Sequence, residues 1–370
     1  MKQFLSIFLL LFCQDIYLPV WAGSSIILRG ERCDYLYNAD SAEVWKGSEV
    51  FKVKKWKKLE VAYYFACKKS LFRLSKGEIT CSDSDWRVTI PDSVLPVPSS
   101  AASIQNMVHD GNLYLPIRTG FLVLNLEKQS KTLLAYHWQM KPRADAGMGT
   151  PIPEMAEKGG SLWSLDSGHL HRLETGAWKD IMAIPEKDLI DSTLLTGSRF
   201  ANLILFKVTQ GDLGSFRTRV ISFSTGSGKH LLDKEFSGIL KNPGIDASGK
   251  VVFEYVKASI FSAIMGRDKV RLRIVDPGSG KEITRNFDVG DKRRHLFFVE
   301  SGDGGLLIIV QCKNGDVFMI EPFSGKFREL KSGKFGYDYT LIRGIGHGVF
   351  YNEKSGNRIA VSFGPGPGGS

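Results

Sequence analysis

The sequence predicts an all-β fold, a β-propeller built from four-stranded antiparallel blades, and three observations carry that prediction. Short runs of Val, Ile, Leu, Phe and Tyr bounded by Gly, Ser, Asp and Asn recur along the 370 residues, while little of the chain shows helical periodicity. Six segments repeat one pattern of strand, polar or glycine turn, and return strand: LFRLSKGEIT (71–80), FLVLNLEKQSKTLL (121–134), HLHRLETGAWKDI (169–181), RVISFSTGSGKHLL (219–232), RLRIVDPGSGKEIT (271–284) and VFMIEPFSGKFREL (317–330). Their turn residues Gly77, Ser130, Gly176, Gly228, Gly280 and Gly325 lie 53, 46, 52, 52 and 45 positions apart. Such a period accommodates four short strands, whose sheet cannot bury both faces alone and must stack on its neighbours.

At the amino end, MKQFLSIFLLLF places Lys2 before an apolar run, and Val20-Trp21-Ala22 precedes Gly23. This reads as a secretory signal peptide over 1–22, cut after Ala22; the run is too short for a membrane helix. A lipid anchor on Cys13 is the alternative, disfavoured by the large Phe12 before it. Residues 23–363 are then one propeller domain and 364–370 (GPGPGGS) a disordered tail. Removing 22 of 370 residues leaves 348, and division by the period favours seven blades. Six or eight remain open, because LYNADSAEVW (36–45) and FYNEKSGNRIAVSF (350–363) resemble further hairpins at the two ends.

Composition bounds the function classes. With 43% apolar and 24% charged residues and a net charge of +10, the chain is globular and basic, which points to an anionic partner. Nucleic acid is the poorer choice, since the expected compartment is extracytoplasmic and no nucleic-acid fold motif occurs. Four cysteines remain after the leader: Cys33, Cys67, Cys81 and Cys312. An oxidising compartment permits three pairings. Cys67 with Cys81 would join strands that look adjacent, and Cys33 with Cys312 would tie the two ends of the ring; buried thiols are the competing reading.

The densest charge cluster is FKVKKWKKLE (51–60), where Lys52, Lys54, Lys55, Lys57 and Lys58 surround Trp56. Lys54, Lys55, Trp56, Lys57 and Lys58 are the candidate binding residues, ammonium groups for an anionic polymer or lipid face and an indole for stacking. The same lysines also suit an exposed edge strand, where they discourage edge pairing. The loops 91–104 and 140–160, rich in Pro, Gly and Ala, and the apolar tip of 257–269 are further candidate contacts.

Other motifs are structural on inspection. His169 and His171 point the same way at strand spacing but lack identifiable further ligands. TGSGKH (225–230) fails as a phosphate loop because Phe223 replaces the first Gly and His230 the magnesium-binding hydroxyl. DPGSGK (276–281) repeats the same turn one period later. His109 with Asp110, and His347, are the residues that a channel enzyme would use.

The Gly turn, alternating apolar strands and S/T-G-K turn of DGNLYLPIRTGFLVLNLEKQSKTL (110–133) and NGDVFMIEPFSGKFREL (314–330) resemble the repeats of quinoprotein-like β-propellers, over residues 60–330. The redox members of that superfamily carry adjacent cysteines, which this chain lacks, so the resemblance implies fold and no cofactor. The expected function is a secreted or periplasmic, non-enzymatic binding or scaffold module for a protein or anionic partner. The rival is a central-channel enzyme, a metal-dependent hydrolase or lactonase or a quinoprotein-type oxidoreductase.

Overall fold

The computed structural model describes residues 25–364 except 31–32, 47–48, 54–55, 57–61, 91–101, 118–119, 136–153, 159–160, 167–168, 175–176, 184–188, 197–201, 211–215, 225–229, 247, 257–268, 291–292, 332–334, 336–337 and 353. The expected leader, the 257–269 tip apart from its last residue, and the tail beyond Gly364 lie outside them. Among the described residues no helix is long and apolar enough to cross a membrane.

Among the described residues the strands form eight sheets in chain order: sheet 1 (25–52), sheet 2 (63–103), sheet 3 (108–135), sheet 4 (154–183), sheet 5 (189–237), sheet 6 (239–288), sheet 7 (293–331) and sheet 8 (339–362). Six have four strands in sequential antiparallel order, sheet 2 has five and sheet 8 three. First strands of successive sheets touch, as Ile239–Ile245 does Arg293–Glu300, so these strands line the axis. The outer strands Ser130–Ala135 and Ala177–Ala183 meet at the rim.

Eight sheets exceed the seven favoured by the period and equal the upper count that the end hairpins left open. The physical reason lies in strand length. Sheet 5 uses strands of eight and nine residues, whereas sheet 1 uses strands of four and five, so a period measured on the long central repeats overstates the mean. Gly77 also belongs to a different turn, between the second and third strands of its sheet, while the other five turn positions join the third and fourth.

Stacking decides which sequences read as strands. In Leu306–Cys312 (LLIIVQC) every residue is buried; Leu306, Ile308, Val310 and Cys312 pack against sheet 6, while Leu307 and Ile309 pack against sheet 8. A strand covered on both faces loses polar alternation and becomes a continuous apolar run. Its one polar exception is paid for by geometry: the Gln311 amide donates to the carbonyls of Phe335 and Tyr339, both at 3.1 Å.

The repeated turns share one hydrogen-bond scheme. In 276–281, 321–326 and 352–357 the first residue donates its N–H to the carbonyl of the sixth, and a glycine N–H returns to the first residue's carbonyl. The glycines Gly280, Gly325 and Gly356 have φ of 68°, 80° and 71°, a left-handed conformation that disfavours a side chain. Asp276 caps its turn by accepting from Gly278 N–H at 2.9 Å, which is the structural role expected of DPGSGK.

Among the described residues no sheet contains strands from both ends of the chain, and sheet 8 packs on sheet 1. Ile342 and Tyr351 meet Ile27 and Leu36, and the Ser25 hydroxyl lies 2.9 Å from that of Tyr351. At the centre of this seam Asp34 is wholly buried. Arg343 of sheet 8 clamps both carboxylate oxygens at 2.9 and 3.0 Å, also donating its backbone N–H at 3.0 Å, and Arg29 holds the other side.

No disulfide joins Cys33, Cys67, Cys81 or Cys312 in the structure. Cys67 and Cys81 lie on Tyr63–Cys67 and Glu78–Cys81, with Ser70–Ser75 between them. Two inter-strand spacings of about 4.8 Å separate such positions by more than the roughly 7 Å that a disulfide spans. Cys312 is buried between sheets 6 and 7, while Cys33 precedes the second strand of sheet 1, so sheet 8 stands between them.

Candidate functional site

Sheet 2 is where a sequence-expected binding residue meets a cavity. Its third and fourth strands, Glu78–Cys81 and Arg87–Thr89, are joined through SDSDW (82–86). This wide turn is closed by Cys81 N–H donating to the Trp86 carbonyl at 3.2 Å and by Trp86 N–H donating to Ser84 Oγ at 3.3 Å. Ser82, fully buried, accepts at its hydroxyl from Leu71 N–H at 3.3 Å and anchors the turn to the sheet. The result projects Trp86 back across the sheet, where its ring meets Phe72 edge-on at 5.4 Å and Phe72 stacks on Phe65 at 5.1 Å.

Trp56 arrives from the other side, on the connection from sheet 1. Its ring packs 5.9 Å from Tyr37 and 5.6 Å from Tyr64, with the Arg73 guanidinium 5.1 Å from its centroid. Cation–π contact of this kind holds both groups in place. Trp56, Thr80, Cys81, Ser84, Asp85, Trp86 and Arg87 together line an open surface cavity of about 170 Å³. Ser84, Asp85 and Arg87 are exposed. Arg87 reaches Glu78 at 3.5 Å, with both side chains largely in solvent, so this pair is weak and exchangeable.

The expected binding segment is only partly described. Lys54, Lys55, Lys57 and Lys58 lie outside the described residues. Lys52 ends the edge strand Glu49–Lys52 and pairs with Glu43 at 2.6 Å. Val53 is buried and Trp56 is outside any strand. Sequence reasoning missed Thr80, Trp86 and Arg87. The available signal was the SDSDW turn, obscured because the repeat was phased on Gly77 rather than on this turn.

Among the described residues, His171, His109 and His347 lie in three different sheets. His171 is buried across from Asp180, 4.0 Å from its carboxylate, His109 lies edge-on to Tyr114 at 6.0 Å in sheet 3, and His347 opens a strand of sheet 8. Among the described residues no group of three or more His, Cys, Asp or Glu side chains is arranged to hold a metal ion. Cys67 and Asp34 are among the groups whose electrostatics the fold perturbs. Burial pushes the Cys67 thiol above its ordinary range. Burial also acts to raise the Asp34 carboxyl, but Arg29 and Arg343 outweigh it and hold the group below the usual carboxylate range.

No protein-family model matches the chain, and no curated protein matches its sequence. Its structure is similar to that of Ika8, a computationally designed protein, with a TM-score of 0.50 and 9% identity over 93% of this chain and 95% of that one. Hsv2 of Kluyveromyces lactis gives 0.44 and 11% over 83% and 94%, and a eukaryotic initiation factor gives 0.44 and 12% over 92% and 96%. At such identities the likeness is one of architecture alone. The chain is a β-propeller.

Proposed function

We propose that this propeller is an exported, non-enzymatic binding module that takes an anionic partner on the surface around Trp56. The observation supporting the reading is the position of Trp56, which walls a surface cavity beside Arg73 and Arg87 and is flanked in sequence by Lys54, Lys55, Lys57 and Lys58. Positive charge steers an anionic partner to the surface, and the aromatic groups supply contact area once it arrives. Binding on a strongly basic surface is screened by salt. The test is chromatography on immobilised sulfated polymer. The wild-type chain is retained and released by salt, and a variant with all four lysines replaced by Gln elutes at clearly lower salt. If the two elute together, the basic segment is not the binding surface and the reading fails.

A further inference from the structure

Among the described residues sheet 8 has three strands, Tyr339–Arg343, His347–Asn352 and Arg358–Ser362, where its neighbours sheets 1 and 7 have four. Its third strand, RIAVS, therefore stands at an edge, with Ala360 and Ser362 exposed. Phe363 N–H donates to Gly346 O at 2.9 Å and Asn357 O accepts from Asn352 N–H at 2.8 Å, so Asn357 and Phe363 turn backbone groups inward. Backbone direction alternates along a strand, which turns the N–H and C=O of Arg358, Ala360 and Ser362 toward the open side. Edge strands are ordinarily guarded by Lys, Pro or a bulge. RIAVS has neither Lys nor Pro, and its register with His347–Asn352 is unbroken. Its one charge is drawn aside, since the Arg358 guanidinium lies 3.5 Å from the centroid of the Trp45 ring in sheet 1.

The path of the chain indicates what belongs at that edge. The outermost strand of one sheet leads into the innermost strand of the next, with only Gly238 between Ser237 and Ile239 and with 289–292 between Asp288 and Arg293. The innermost strand of sheet 1 begins at Ser25. The same path carried backwards leads from Ser25 to the outer edge of sheet 8. The residues there, outside the described part, read DIYLPVWA (15–22) and then Gly23 and Ser24. Ile16, Tyr17, Val20 and Trp21 are strand-forming types. Pro19 has no N–H and is admitted where a strand faces solvent, which in turn directs the backbone groups of Ile16, Leu18 and Val20 toward Arg358, Ala360 and Ser362. Directly opposed residues share a face of the sheet, so Ile16, Leu18 and Val20 fall on the Arg358 face, toward sheet 1. On the facing side of sheet 1, Trp45 packs with Ile342 and Tyr351 of sheet 8. Val50, directly opposite Trp45, is 42% exposed and gains an apolar neighbour from such a strand.

We propose that residues 15–22 form the fourth strand of sheet 8, antiparallel to Arg358–Ser362, with Gly23 and Ser24 as the connection to sheet 1. Backbone hydrogen bonds between the two ends of the chain then close the ring. Export processing removes no more than residues 1–14, in place of the cut after Ala22 that the leader suggests. The apolar run from Phe4 to Phe12 ends before this strand begins, so one segment serves export and the next serves the fold.

The test expresses the full chain with its leader in a secreting bacterium and takes the product from whichever fraction contains it. Intact mass gives its amino terminus, and hydrogen exchange follows the amides of Arg358, Ala360 and Ser362. Residues 15–22 are expected in the product, and those three amides are expected to exchange at least about tenfold more slowly than in Leu18→Pro, which removes an inward N–H from the proposed strand. A product beginning at Gly23 overturns the proposal, because the segment is then discarded. Equal exchange in wild type and Leu18→Pro overturns it as well. If Leu18→Pro does not fold, the wild-type chain decides alone: exchange of the three amides at the rate of an unstructured peptide overturns the proposal, and slow exchange supports it.

Discussion

Asp34 is a carboxylate with no solvent access held between two guanidiniums, and its consequence for stability can be worked out with sign. Its folded pKa lies below the unfolded value, so the stabilisation it contributes is fully present above the unfolded pKa of about 3.9 and is lost as pH falls through the folded value. Asp34→Asn leaves Arg29 and Arg343 without their counter-charge and is expected to cost about 3–5 kcal/mol at neutral pH. Thermal melts from pH 7 to pH 2.5 should show the gap between wild type and variant narrowing below about pH 4. A gap that stays constant with pH would mean that the carboxylate is not the stabilising group. A second residue acts by imitation: the Gln105 side chain accepts from Ala66 N–H at 2.6 Å and donates to Ala66 O at 2.9 Å. An amide thus occupies the place a further strand residue would take beside Tyr63–Cys67, a role no local sequence pattern announces.

At the scale of the element, the close stacking of sheets imposes requirements that alternation alone does not reveal. Gly244, in the axial strand Ile239–Ile245, is buried, and a Cβ there would come 2.5 Å from Phe298 Cδ1 and 2.9 Å from Leu306 Cδ2 of sheet 7. Gly244→Ala should therefore destabilise by about 1–3 kcal/mol through overpacking, measured by chemical denaturation. An unchanged midpoint would show that sheets 6 and 7 can slide apart at little cost. The hairpins themselves were legible. Both end hairpins form, as Asp34–Asn38 with Glu43–Lys46 and His347–Asn352 with Arg358–Ser362, because their turn residues and apolar alternation are local signals. The Cys67–Cys81 adjacency was misread, because pairing order depends on which strand inserts between two others.

For the whole molecule, packing against both of its neighbours makes sheet 8 the keystone. It covers Val299, Leu307, Ile309, Val317 and Met319 of sheet 7 on one side and Ile27 and Leu36 of sheet 1 on the other. A chain ending at Lys331 would uncover both apolar faces, and contiguous apolar surface of this kind drives association. Such a chain is expected to bind a hydrophobic dye and elute as aggregate in size-exclusion chromatography. A monomeric product with a cooperative melt would show that the seam contributes little. The charge of +10 belongs to this scale too, since long-range steering depends on the summed field.

The sequence by itself determined the all-β class, the repeating hairpins and their turn chemistry, because glycine turns, capping carboxylates and alternating apolar residues act within a few positions of one another. It also pointed to Trp56. Tertiary structure alone decided which strands share a sheet, that Cys67 and Cys81 stay apart, that Asp34 joins sheets 1 and 8, and that Trp56 lines a cavity with Thr80, Trp86 and Arg87. Each of these depends on which face of one sheet meets which face of the next. That choice is made by the summed packing of side chains far apart in the chain, and no spacing in the sequence encodes it.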